Sequence, residues 1–199
     1  MNEELLVYLV HAAFWCAFGL TRLVAQQTSG PVRPDDDQPV ANESQTARYS
    51  RGLLVVHALA FAAMYSGIGT AVFAHRVPSL FAGQRVAGTL VIASGGWLAC
   101  WALASFKSWR IRAKLDRGHQ LATGGPFRLI RHPIYMGLNL LALGSALWIP
   151  TPVLWASVAL MLVGGDLRAR AEEKLLIRVF GATYSEFCRR TKRFLPGIY

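Results

Sequence analysis

The chain has 199 residues, enough for one domain or two. It is 53% hydrophobic and only 16% charged, against roughly 25% charged in ordinary soluble domains, a shortage that excludes a conventional water-facing surface. The net charge of +10 would suit a nucleic-acid binder, but the basic residues stand in blocks between long apolar runs, which is membrane topology and not a nucleic-acid face.

In chain order, Leu5 to Ala25 is almost wholly apolar, broken only by His11 and Arg22, and about 20 such residues cross a hydrocarbon core of roughly 30 Å. Glu3 and Glu4 stand where a secretory signal has basic residues, and no small-residue cleavage site follows, so this run reads as a retained span. Residues 26–50 are polar, carry Pro31, Pro34, Pro39 and Asp35-Asp36-Asp37, and read as a mobile loop. Gly52 to Ala74 and Val86 to Phe106 are the second and third spans, joined by a short piece with Pro78 and Gly83. Gly67-Ile68-Gly69 and Gly95-Gly96 suit close helix approach better than phosphate binding. Residues 1–106 therefore form a three-span region.

Residues 107–199 form a second region. A basic segment from Lys107 to Arg131 precedes two apolar stretches, Ile134–Ile149 and Pro152–Gly165, split by Ile149-Pro150-Thr151-Pro152. Each is short for a full span, and together they read as an oblique hairpin. From Asp166 the pattern turns charged and helical and ends at Gly181, a C-terminal cap. The fold class is thus all-α: an integral membrane protein with about five transmembrane helices, the last two a short hairpin, plus a cytoplasmic C-terminal amphipathic helix. With the N-terminus outside and the C-terminus cytoplasmic, only Arg76 and Arg85 of the 21 Lys and Arg lie outside, as the positive-inside rule demands. Oligomeric state has no signature here.

Cys16, Cys100 and Cys188 lie far apart, and His11, His57 and His75 lack partners at ligand spacing, so no metal site is expected. Two blocks carry chemistry. In the first, His119 to Gly137, Gly124-Gly125-Pro126 makes a tight turn that lets a ligand approach the backbone. Pro133 opens the next helix, which sets Arg131 and His132 at its N-terminus with Tyr135 in its first turns. Read blandly, this block is a basic loop against anionic headgroups. In the second, Arg168 and Glu172 are four apart on one helical face, with Glu173 flanking it. Its bland reading is a surface helix with exposed ion pairs. Asp166 is placed to cap or to pair with Arg168.

Together the blocks resemble the C-terminal half of the isoprenylcysteine carboxyl methyltransferase family. The resemblance rests on His119, Leu121, Gly125-Pro126-Phe127-Arg128, Arg131-His132-Pro133, Tyr135 and Gly137, then on Glu172-Glu173, Phe180-Gly181, Tyr184 and Leu195-Pro196. It covers roughly residues 115–197, and Ala122 and Phe127 stand where relatives often have valine and tyrosine. It implies an enzyme, a methyltransferase that uses S-adenosyl-L-methionine as cofactor. The backbone around His119, Gln120, Leu121 and Ala122 would line the adenine side, and Gly125, Pro126 and Arg131 would also bind the cofactor. His132, Tyr135 and a glutamate of the pair Glu172 and Glu173 would hold the ribose and methionine parts. Arg168 would orient the acceptor, an amphipathic or lipid-like molecule, with a prenylcysteine-type carboxylate as the family's namesake. Arg168 and Glu172 are thus the expected catalytic residues.

The chemistry agrees with these roles. Displacement at a sulfonium methyl needs alignment more than acid–base work. Arg168 can grip a carboxylate bidentately, and for a thiol or amine acceptor Glu172 is the candidate base. A second resemblance, to NADPH-dependent sterol reductases, rests on Tyr184-Ser185-Glu186-Phe187-Cys188 and Pro196-Gly197-Ile198-Tyr199. A phospholipid amine or small thiol is an alternative acceptor, and a non-enzymatic membrane scaffold is the third reading.

Overall fold

The computed structural model describes residues 3–28, 43–75, 77, 81, 83–105 and 121–199. Its elements are α1 (Glu3–Thr28), α2 (Glu43–Phe73), α3 (Gln84–Ser105), a 3₁₀ turn at Gly125–Arg128, α4 (Pro133–Trp148), α5 (Pro152–Phe180) and α6 (Ala182–Arg190). Apart from one parallel bridge between Ile130 and Lys192, no strand pairing occurs among the described residues. The protein is all-α. Stretches within α1, α2, α3 and α5 are long and apolar enough to cross a membrane. The 16 residues of α4 reach about 24 Å at 1.5 Å per residue, short of a roughly 30 Å core.

Two boundaries differ from the sequence reading. The polar segment assigned to residues 26–50 is helical at both ends, because α1 runs on to Thr28 and α2 begins at Glu43. All three prolines of that segment fall in 29–42, outside the described residues, and what flanks them carries no helix breaker except Gly52. The charged stretch after Asp166 is no separate C-terminal helix but the second half of α5, which runs unbroken for 29 residues. Thr151 caps its start, with its hydroxyl accepting from the Leu154 N–H at 3.4 Å, and Pro152 fills the first turn. Gly181 ends it at a φ of +52°, where only glycine sits without strain, and its N–H returns to Ile177 O at 2.8 Å.

The helices meet along small-residue seams. A Cβ built on Gly95 would lie 2.6 Å from Gly137 O, and one on Gly137 2.6 Å from Gly95 O; Gly88 and Gly144 repeat the pairing one heptad away. Only hydrogen fits there, so α3 and α4 touch backbone to backbone, which substitutes for a hydrophobic drive that lipid does not supply. Gly96 likewise admits Phe14 of α1, and Gly67 admits Leu154 of α5. Around these seams Met64, Ile68, Ile92, Leu141, Trp148, Leu154 and Met161 form the buried core. Buried polar groups are tied within it: His11 of α1 bonds Ser145 of α4 at 2.9 Å, and Gln84 donates to Trp148 O at 3.2 Å. Outward, Leu20, Leu90, Trp97 and Val163 are exposed, as a lipid-facing surface requires.

Candidate active site at the charged end of α5

The beginning of α4 and the charged half of α5 lie side by side, and the C-terminal tail closes over both. Pro133 starts α4 at its first position, so His132 is its N-cap residue and Arg131 precedes it. Residues 130–132 run parallel to 192–193, with Arg131 N–H donating to Lys192 O at 2.8 Å and His132 N–H to Arg193 O at 3.1 Å. That pairing draws Arg131, His132 and Arg193 onto the same stretch of α5, where Glu173 and Glu172 point toward them.

The two neighbouring glutamates have different surroundings. Glu173 is buried, and both its oxygens are taken: Oε1 accepts from Arg131 Nε at 2.9 Å and Arg193 Nε at 3.1 Å and lies 3.3 Å from His132 Nε2, while Oε2 accepts from Arg193 Nη2 at 2.7 Å. Arg131 Nη1 donates to the carbonyls of Cys188 and Thr191. Arg193 also bonds Asp166 at 3.0 Å and the Tyr199 hydroxyl at 2.6 Å, and its bonds to Glu173 raise its pKa further above an already high value. Beneath this knot burial pushes the Tyr184 hydroxyl well up, and the Glu173 charge adds to it.

Glu172 is more open, with 28% of its side chain exposed. The Tyr135 hydroxyl donates to its Oε1, Arg168 Nη2 stands 3.6 Å from the same oxygen, and His132 Nδ1 is 3.7 Å from Oε2. The Arg168 guanidinium lies over the Tyr135 ring at 5.2 Å, and the His132 and Tyr135 rings stack at 5.7 Å. Oε2 thus keeps lone pairs for another donor.

Of the residues singled out by sequence, Arg131, His132, Tyr135, Arg168, Glu172 and Glu173 come together here. Leu121 and Ala122 lie half-buried in the irregular segment before the 3₁₀ turn; His119 and Gln120 lie outside the described residues. Gly125 has a φ of +57°, and a Cβ there would strike Ser105 Oγ, so the close approach its missing side chain permits is to the end of α3. Pro126 and Phe127 are buried beside it. Asp166 does not pair with Arg168: its partners are Arg170 at 2.6 Å, Arg193 and Tyr199. Sequence reasoning missed Arg193 as a site residue, since its partners are 20 and 27 positions away and no local spacing signals such a pair. The signal available was that the resemblance runs on to Leu195-Pro196, just past Arg193.

An all-α bundle of membrane-spanning length, with a charged cluster at one end, defines the class: a polytopic membrane protein whose polar site adjoins the apolar slab. The chain matches the phospholipid methyltransferase family over residues 84–183, from the start of α3 into α6. This is half of its length, and the chain belongs to that family. It is also 34% identical over 91 residues to the probable protein-S-isoprenylcysteine O-methyltransferase of Oryza sativa subsp. indica, covering 44% of this chain and 47% of the relative. The protein-S-isoprenylcysteine O-methyltransferase of Homo sapiens is 35% identical over 82 residues, 40% of this chain and 28% of the relative. The chain spans under half the length of the curated relatives it matches.

Proposed function

We propose that this protein transfers a methyl group from S-adenosylmethionine to an amphipathic or lipid-like acceptor at the membrane–cytoplasm interface, with its N-terminus outside and its C-terminus cytoplasmic. The observation that carries the reading is the division between the two glutamates: Glu173 is saturated by protein, and Glu172 beside it is held by Tyr135 and Arg168 with one oxygen still open. Membership of a methyltransferase family and the names of the rice and human relatives agree with it.

The residues present suit such a donor. Glu172, His132 and Tyr135 offer an anion, an imidazole and a hydroxyl to an ammonium group and ribose hydroxyls. When bound, the donor supplies an electrophilic methyl on a sulfonium sulfur. The chain's own task is positional. Tyr135 and Arg168 fix the Glu172 carboxylate, and the Glu173 knot fixes the backbone beneath it. Arg168, with Nη2 near Glu172 and its Nε without a partner among the described residues, stands ready to grip an acceptor oxygen and aim it. A carboxylate acceptor, as in the relatives' prenylcysteine, reaches the methyl already ionised and needs no base. For an amine, Glu172 takes the proton. The lipid tail stays beside the exposed apolar faces of the bundle.

The test is methyl transfer by purified protein in lipid, using radiolabelled S-adenosylmethionine and a membrane extract, with NADPH titrated in parallel. Labelled lipid-soluble product is expected, and Arg168→Ala should lose about 2 kcal/mol of transition-state stabilisation, roughly 30-fold in kcat/KM. Binding of NADPH alone would overturn the reading in favour of a reductase. Unchanged transfer by Arg168→Ala would remove Arg168 from the site.

A further inference from the structure

The strip where the tail pairs with residues 130–132 is held at a defined depth by two helices. One side of the strip leads directly into Pro133, and the apolar run of α4 opens at Ile134. The other side is fixed to α5 by the Tyr199 hydroxyl, which donates to Asp166 Oδ1 at 2.8 Å and accepts from Arg170 Nη2 at 2.9 Å. Val163 is the last exposed apolar residue of α5 before its charged half. Asp166 and Arg170 follow it by three and seven residues and so continue its lipid-facing side. The strip therefore lies where the apolar slab gives way to water.

At that depth the strip turns apolar side chains outward. Phe194 points inward, its ring 6.0 Å from that of His132, and Arg193 is spent on Glu173 and Asp166. Residues 194–199 then close into a tight turn. The N–H groups of Phe194 and Leu195 donate to Tyr199 O at 2.7 and 2.6 Å, and those of Ile198 and Tyr199 donate to Leu195 O at 3.1 Å. Gly197 supplies the φ of +76° that the turn needs. With its backbone bonded internally, the turn presents Leu195 and Ile198 away from the bundle, Ile198 at 77% exposure. Across the bridge Leu129 is exposed too, and Arg128 and Lys192, both exposed, stand beside these aliphatic side chains. Exposed aliphatic tips with adjacent cations at the edge of an apolar slab suit a phospholipid headgroup layer: the tips enter the acyl boundary and the cations meet lipid phosphates.

We propose that Leu129, Leu195 and Ile198, with Arg128 and Lys192, form a pad seated in the headgroup layer of the adjoining leaflet, with a preference for anionic phospholipid. The occupant is the bilayer because the pad continues the lipid-facing side of α5 and carries charge opposite to that of an anionic leaflet. The seat bears on the site as well. Lys192 and Leu195 bracket Arg193, so lipid that holds the pad also holds Arg193 on Glu173. The anionic lipid content of the membrane thereby sets the stability of the ionic cluster around Glu173, whatever molecule Glu172 receives.

The test has two arms, neither of which reads methyl transfer. In the first, nitroxide labels are placed by Ile198→Cys, Val163→Cys or Lys174→Cys in a chain carrying Cys16→Ser, Cys100→Ser and Cys188→Ser. Each is set in nanodiscs of equal parts phosphatidylcholine and phosphatidylglycerol. Val163 marks the slab, and Lys174, exposed two turns beyond Asp166, marks water. The ratio of oxygen to nickel-chelate accessibility at 198 should lie nearer that at 163. A ratio nearer that at 174 would overturn the pad, and so would a label shielded from both reagents, since a second copy then covers it. The second arm needs no cysteine replacement and compares melting in the same nanodiscs with melting in pure phosphatidylcholine. Wild type should melt about 5 °C higher with the anionic lipid. Arg128→Gln with Lys192→Gln should lose at least half of that difference, while Lys174→Gln keeps it. No difference for wild type, or equal loss in Lys174→Gln, would overturn the preference for anionic lipid at this pad.

Discussion

Glu172 and Glu173 are adjacent on one helix and identical in chemistry, yet they belong to two different regions. Around Glu173 the chain has built a closed ionic knot, in which two guanidiniums and an imidazole from two separate segments meet one buried carboxylate. Around Glu172 it has built an open patch, with a hydroxyl and a distant guanidinium on one oxygen and room on the other. The contrast teaches that charge at a site divides by satisfaction, not by residue type. A carboxylate with every lone pair used by protein holds architecture together, and a carboxylate with lone pairs to spare can hold a ligand.

The largest effect should come from opening the knot. Glu173→Ala leaves Arg131 and Arg193 facing each other without their shared anion, and breaking a buried ion pair from one side costs about 3–5 kcal/mol. Thermal melting in detergent should fall by roughly 10 °C. A melting point unchanged from wild type would mean that the knot contributes nothing to stability and that the contrast is misdrawn. Next comes Glu172→Gln, which keeps shape and removes charge. Its melting should match wild type to within about 1 kcal/mol, as for a half-exposed pair, while kcat/KM for methyl transfer falls about 100-fold, or 2.7 kcal/mol. The smallest effect is expected of Tyr135→Phe, which frees one Glu172 oxygen but keeps the ring under Arg168. About a 10-fold loss of activity with near-native stability would sharpen the comparison; a large loss of stability would move Tyr135 into the knot.

The helices were legible in the sequence because apolar runs of membrane length are a local signal, and so were Pro133 at the start of α4 and Gly181 at the end of α5. The unity of α5 was not. Hydropathy falls after Gly165 and two glycines interrupt the pattern, so the helix reads as ending there. In the fold Gly164 packs against Val56 and His57 of α2, where a Cβ would lie 3.1–3.2 Å from their side chains, which is a tertiary reason that no window along the chain contains. Arg131, His132, Tyr135, Arg168, Glu172 and Glu173 were legible as a group through the order of their motifs. Their division of labour was not, since it depends on Arg193 arriving from the tail, and Arg193 lies beyond the family match that ends at residue 183. Asp166 shows the same limit: its spacing suggested Arg168, and the tail arginine and Tyr199 took it instead.

The most direct measurement is calorimetric titration of S-adenosylmethionine into wild type, Glu172→Gln and Glu173→Gln in the same lipid, alongside their melting curves. Wild type should bind; Glu172→Gln should bind at least about 10-fold more weakly, a difference of 1.4 kcal/mol, with wild-type melting; and Glu173→Gln should lose stability before it loses affinity. No binding by wild type, or wild-type affinity in Glu172→Gln, would contradict the assignment of the open carboxylate to the methyl donor.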